Sequence, residues 1–320
     1  MDSLFKDIRY GIRALLKHWG FTAVAVITLA LGIGGSTAIF TVVNGALLRG
    51  LPYKSPERLY HLWENTPQKE FARREFSYPD YQDYLQNQVC EGIAAYTGGG
   101  AIMTGRGEPE RVAALSASAN FFSVLGVEPI IGRSFQPGED KPGAPRVTVL
   151  TYSLWQRRFG GDPGIIGQSL TLNGDSYTVV GVLPASFHFA LRPADLWRTY
   201  QPTEAQLTRR FLHGTNLIGR LKPGVTAAQA QSELSVIAGR IERDNNQSHA
   251  GTGMILVPLQ EQVVGPVKPV LLVLLGAVGF VLMKWARTIP QRLRRWSAHC
   301  SRSRCWLVTS RRVAPQRSIR

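Results

Sequence analysis

Asn216-Leu-Ile-Gly-Arg-Leu-Lys-Pro-Gly-Val-Thr-Ala-Ala-Gln229 reads as a strand, a turn and the start of a helix. The strand Asn216–Leu221 breaks at Lys222-Pro223-Gly224, and a helix begins at Thr226. Thr226 and Gln229 form a capping box, in which hydroxyl and amide each satisfy an orphan backbone N–H. Leu234, Ile237, Ala238 and Ile241 then recur at helical spacing and form the buried face. Upstream, Ser169-Leu-Thr-Leu-Asn-Gly-Asp-Ser-Tyr-Thr-Val-Val-Gly-Val-Leu183 alternates apolar and polar residues on both sides of Asn173-Gly174. Asn-Gly tolerates positive φ at both positions, so it closes a tight hairpin. Strand, hairpin and helix together give an α+β domain over residues 53–264.

Other elements of that domain follow from local signals. Arg58–Trp63 is expected to be the first strand, Pro79–Cys90 a short helix with Tyr81, Tyr84 and Leu85 on one side. β segments are expected at Ala101–Met103, Arg111–Leu115 and Val147–Leu150. Short helices are expected at Asn120–Leu125, stopped by Gly126, and from Ser153, carrying Leu154, Trp155, Arg157 and Phe159. Leu51-Pro52-Tyr53-Lys54-Ser55-Pro56 is expected to be an extended linker.

Outside the domain the chain turns apolar. Residues 21–48 hold no Asp, Glu, Lys or Arg, and at about 1.5 Å per residue they exceed the ~20 needed to cross a membrane. They are expected to form a transmembrane helix, with Gly32, Gly34, Gly35 and Ser36 as a small-residue face for helix packing. Residues 1–20 place Leu4, Phe5, Ile8, Ile12, Leu15, Leu16 and Trp19 at helical spacing, an interfacial amphipathic helix. Residues 268–283 read as a partial second transmembrane helix, short for a full span.

The formal charge of +15 is concentrated in one place. Residues 284–320 carry ten Arg, one Lys and no acid, while the other 283 residues carry 26 basic against 22 acidic side chains. The body has no basic face with interleaved aromatics, so nucleic-acid binding is not indicated. The three cysteines, Cys90, Cys300 and Cys305, give no disulfide framework.

Motifs for catalysis are absent. In Gly100-Ala-Ile-Met-Thr-Gly105-Arg106-Gly107 the Lys and Ser/Thr of a P-loop are replaced by Arg106 and Gly107. The six histidines, His18, His61, His188, His213, His249 and His299, are scattered and read as surface or packing residues. No enzyme activity, cofactor, metal or catalytic residue is expected.

Residues 9–62, from Arg-Tyr-Gly-Ile-Arg-Ala-Leu-Leu-Lys-His-Trp through Leu51-Pro52-Tyr53 and Glu57-Arg58-Leu59, resemble the N-terminus of MacB-type ABC transporter permeases of the duplicated orphan subfamily. Tyr177-Thr-Val-Val-Gly-Val-Leu-Pro184 and Leu217-Ile-Gly-Arg-Leu-Lys-Pro-Gly224 resemble that family's periplasmic core domain. The resemblance implies a permease subunit of the bacterial inner membrane, in contact with lipid, with a cytoplasmic N-terminus and a periplasmic central domain. It further implies a separate ATPase subunit as partner, a homo- or hetero-dimer of permeases, and efflux driven by periplasmic movement. A membrane-anchored periplasmic binding or scaffold module without transport activity is the alternative. After Met283 the resemblance stops, and residues 284–320 are expected to be either an out-of-frame, disordered tail on a truncated gene product or a genuine basic tail that binds anionic lipid.

Overall fold

The computed structural model describes residues 51–66, 73–105, 107–245 and 249–265, with isolated positions between 16 and 37 and between 268 and 280. Residues Gly50–Pro266 form one compact unit, and Met1–Arg49 with Val267–Arg320 form another.

In chain order the first unit contains β1 (Leu59–Asn65), β2 (Arg73–Arg74), β3 (Phe76–Ser77), α1 (Tyr78–Tyr84), β4 (Cys90–Thr97), β5 (Ala101–Thr104), β6 (Glu110–Val112) and β7 (Ala114–Ala117). There follow α2 (Phe121–Leu125), β8 (Ile131–Gly132), β9 (Val147–Leu150), α3 (Tyr152–Phe159), β10 (Ser169–Leu172), β11 (Asp175–Val182) and β12 (Leu196–Thr199). Last come α4 (Glu204–Thr208), β13 (His213–Leu221), α5 (Ala227–Asp244), β14 (Gly253–Pro258) and α6 (Leu259–Val264).

Four strands form the frame, in the order β14-β1-β13-β4. β1 is antiparallel to both β14 and β13, and β13 is antiparallel to β4. Hence β1 runs parallel to β4 with α1 between them in sequence, and β13 runs parallel to β14 with α5 between them. These are two interleaved split β-α-β units, the ferredoxin-like arrangement. Both helices pack on one face, where Tyr81, Tyr84, Leu234, Ile237 and Ile241 share a core with Leu62, Ile93 and Leu217. Successive strand residues point to opposite faces, so Leu59 joins a different core on the far side.

Residues between β4 and β13 are an insertion into that frame. β7 pairs with β4, and the sheet continues through β12, β9, β11, β10, β5 and β6. The core beneath it is aromatic. Trp197 is fully buried, its ring centroid 4.5 Å from Phe121 and 5.0 Å from Phe189. A further core lies around α3, with Leu154 and Trp155 against Leu170, Leu172 and Tyr177.

The hairpin forms as its sequence requires: Asn173 has φ 53 and Gly174 φ 90, and Leu172 faces Asp175. A Cβ at Gly174 would meet nothing within 4 Å, so only the backbone resists substitution there. Gly174→Val should therefore lower domain stability by about 1–3 kcal/mol, read from thermal unfolding, through the conformation alone. The capping box of Thr226 and Gln229 is present, and Leu234, Ile237, Ala238 and Ile241 are all buried.

Three expectations change. Leu51–Pro56 turns rather than extends, with Ser55 at φ 46, because Tyr53 buries its ring near Phe187. The Tyr53 hydroxyl accepts from Ala190 N at 3.1 Å and donates to His188 O at 3.0 Å. The segment Arg111–Leu115 splits into β6 and β7 at Ala113, whose N–H donates to Asp195 Oδ2 at 2.9 Å. Leu85 is exposed, since α1 stops at Tyr84 and Leu85 is its cap.

Among the described residues no helix is long and apolar enough to cross a membrane. The span read over 21–48 and the partial span over 268–283 lie largely outside the described residues. Within them, residues 22, 23, 26, 30, 34 and 37, and 268–270, 273, 276 and 280, are helical. The tail 284–320 lies wholly outside.

Candidate functional site

A cluster of charged side chains lies under the two frame helices. It begins with a local device: Ser77 caps α1, its hydroxyl accepting from Asp80 N at 3.3 Å while Asp80 Oδ2 accepts from Ser77 N at 3.2 Å. This box buries Asp80, which is 1 % exposed. Arg210 then bridges two carboxylates, with Nη1 2.5 Å from Asp80 Oδ1 and Nη2 2.8 Å from Asp83 Oδ2. His249, a helical residue shortly before β14, brings Nε2 to 3.2 Å from Asp80 Oδ2. Thr252 Oγ1 donates to His249 O at 2.6 Å and helps fix His249 in place.

Glu64 reaches the same place from β1. It shares the helix-side face of the strand with Leu62, and it is 3 % exposed. Arg74 of β2 lies directly across the ladder from it, and Arg74 Nη2 meets Glu64 Oε1 at 2.5 Å. The other oxygen, Glu64 Oε2, is buried without a hydrogen-bond partner among the described residues. His213 Nδ1 stands 3.5 Å from it, but gives its hydrogen to the Glu75 carbonyl at 3.0 Å. Between these groups is a cavity of about 10 Å³ lined by Glu64, Phe76, Asp80, Tyr84, His249 and Thr252, among others. That is room for about one water molecule, far too little for an organic substrate.

The electrostatics follow from burial and partners. Burial would raise the Asp80 carboxyl, but hydrogen bonds from His249 and Ser77 and the Arg210 guanidinium hold it below its ordinary value. Burial, then the Arg74 charge, lowers His213. On the opposite face of β1, burial lowers His61 from 6.5 to about 4. His61 is therefore neutral in the fold while an unfolded chain would take up a proton. Its contribution to stability is lost as pH falls from about 6.5 to about 4, and the loss levels off below, for a total of about 3 kcal/mol. His61→Leu should flatten that part of the slope when the urea midpoint is followed between pH 7 and pH 4. An unchanged slope would place the proton uptake elsewhere.

A second feature is the place where the chain enters and leaves the domain. β1 and β14 are neighbours, Tyr60 opposite Pro258. Trp63 Nε1 donates to Gln262 Oε1 of α6 at 3.0 Å, and Leu259 of α6 shares a core with Leu59. The turn ahead of β1 is tied down as well: Arg220 donates to Val124 O at 2.6 Å and to Ser55 O at 3.3 Å. Arg58 donates to Leu221 O at 3.2 Å. The first and last strands of the domain are thus clasped to each other, and the first strand and its lead-in turn also to β13.

Of the small-residue face, Gly34 is helical and exposed, and a Cβ there would meet nothing within 4 Å. Gly32, Gly35 and Ser36 lie outside the described residues. The structure does bring together Glu64, Asp80 and His249, which sequence reasoning did not connect. The readable hints were the capping pattern Ser77-x-x-Asp80 and a carboxylate, Glu64, on the apolar phase of a strand.

No curated protein matches the chain. Among solved structures, a permease-protein domain from Porphyromonas gingivalis is similar at 18 % identity and TM-score 0.50, covering 64 % of this chain and 92 % of that one. The periplasmic region of MacB from Actinobacillus actinomycetemcomitans is similar at 11 % identity and TM-score 0.47, covering 66 % and 92 %. The extracellular domain of YknZ, a noncanonic ABC-type transporter from Gram-positive bacteria, is similar at 12 % identity and TM-score 0.45, covering 62 % and 99 %. The first likeness speaks to the fold. The profile of the MacB-like periplasmic core domain matches residues 22–237, more than half of the sequence, and the chain belongs to that family.

Proposed function

We propose that this chain is the permease subunit of a MacB-type ABC transporter, in which a separate ATPase drives movement of the periplasmic domain and so efflux. The supporting observation is the clasp: the first and last strands lie side by side, Tyr60 against Pro258, and are locked by Trp63–Gln262. A domain held at both ends in one place moves as a unit when the segments flanking it shift. In this reading residues 21–48 span the inner membrane from a cytoplasmic N-terminus, and Gly32, Gly34, Gly35 and Ser36 pack against a second permease chain. We assign the chain no catalytic role, because the hydrolysis belongs to the partner.

Purification from the native membrane through a neutral affinity tag tests this. The expected result is an ABC ATPase subunit in stoichiometric amount. Recovery of the chain alone, still embedded in lipid, would favour a binding or scaffold module.

A further inference from the structure

We propose that the Glu64 and Asp80 carboxylates and the His249 imidazole form a three-ligand site for a divalent cation of the zinc class, with water in the remaining position. One atom from each residue lies within 4.8 Å of the others, and all three residues are buried. His249 Nε2 and Asp80 Oδ2 are 3.2 Å apart. Two ligands on a tetrahedral zinc, with bonds of about 2.0–2.1 Å, sit about 3.3 Å apart, so this pair needs almost no movement. Imidazole with carboxylates suits zinc better than the harder magnesium or calcium.

The independent observation is Glu64 Oε2. It is the one oxygen of a 3 %-exposed carboxylate that has no hydrogen-bond partner among the described residues, and Glu64 lines the cavity. Leaving such an atom unpaired is costly, and an ion or a water is the usual remedy. A guanidinium takes one oxygen of each carboxylate: Arg74 takes Glu64 Oε1 and Arg210 takes Asp80 Oδ1. The Arg74 pairing leaves Glu64 Oε2 to the cavity, while Asp80 Oδ2 is also held by the Ser77 N–H and hydroxyl, the kind of outer support that orients metal ligands. With Asp83 also on Arg210, three carboxylates face two guanidiniums, so the surroundings favour a cation over a neutral water. The ligands come from β1, α1 and the helical residue His249 just ahead of β14, so a bound ion would fasten α1 to strand segments near both ends of the domain's sequence.

The test uses the full chain in detergent, with Cys300→Ser and Cys305→Ser to remove the tail thiols and no histidine tag. After stripping with a chelator, zinc is titrated in and bound metal is measured after gel filtration, with the melting temperature followed in parallel. One zinc per chain and a raised melting temperature are expected. Glu64→Gln and His249→Gln should each weaken binding by more than about tenfold and abolish the thermal shift. If a variant fails to fold, cobalt bound to the parent chain decides through its visible spectrum, which reports four-coordinate nitrogen and oxygen ligation directly. A folded parent chain that binds no zinc above the blank would show the cavity holds only water and overturn the proposal. Unchanged zinc affinity in both folded variants would do the same.

Discussion

Trp197→Ala should destabilise the domain by about 3–5 kcal/mol, the range for truncating a large aromatic in a packed core. Trp197 is fully buried, and Phe121, Phe122, Phe187 and Phe189 all surround it. Those rings are anchored on α2 and on the loop before β12, so they cannot collapse into the space the indole leaves. Domains are stable by only about 5–15 kcal/mol, so a large share would be lost. Urea unfolding followed by circular dichroism would measure it, with Val236→Ala on the exposed side of α5 as the control. Val236 is 62 % exposed, and its truncation should cost less than about 0.5 kcal/mol. A Trp197 effect as small as the control would mean that the aromatic core is loosely packed.

Asp80→Ala should have an effect of similar size for a different reason. It removes the N3 half of the α1 capping box and leaves Arg210 with Asp83 alone. It also strips the carboxylate from beside His249. Breaking a buried ion pair costs about 3–5 kcal/mol. Arg210 is partly exposed and keeps Asp83, which puts this loss at the low end, and the lost capping box and His249 contact add to it. The comparison is made with a chelator present, so that the cost reports the protein's own contacts. Asp83→Ala, which loses the more exposed partner of the same guanidinium, should cost about 1 kcal/mol or less. Equal effects from the two substitutions would contradict the burial argument.

What the sequence made legible was local. The hairpin at Asn173-Gly174 was readable because positive φ is a property of those two residues. α5 was readable because Thr226 and Gln229 mark its start and its apolar residues repeat at helical spacing. The strand order was not readable, since the pairing of β1 with β14 depends on contacts about two hundred residues apart. β14 itself was missed: Met254-Ile-Leu-Val257 is short, flanked by Gly253 and Pro258, and carries no alternation. The charged cluster was hidden for the same reason as the strand order. His249 and Asp80 are 169 residues apart, and a lone histidine among polar residues carries no signal of its own. The transport reading came instead from residues 9–62 and from two short segments within the domain.

The most direct test of the account is which side of the membrane carries the domain, because a periplasmic domain moved by a cytoplasmic ATPase must lie outside the cytoplasm. Val236→Cys, on the outer face of α5, provides a reactive thiol in a chain whose Cys300 and Cys305 are replaced by Ser. Cys90 can stay, because it is buried and burial pushes its thiol up to about 12, so it gives little background. In intact spheroplasts a membrane-impermeant maleimide should label the Val236→Cys chain as fully as it does after lysis. Labelling that appears only after lysis would put the domain in the cytoplasm and contradict the account.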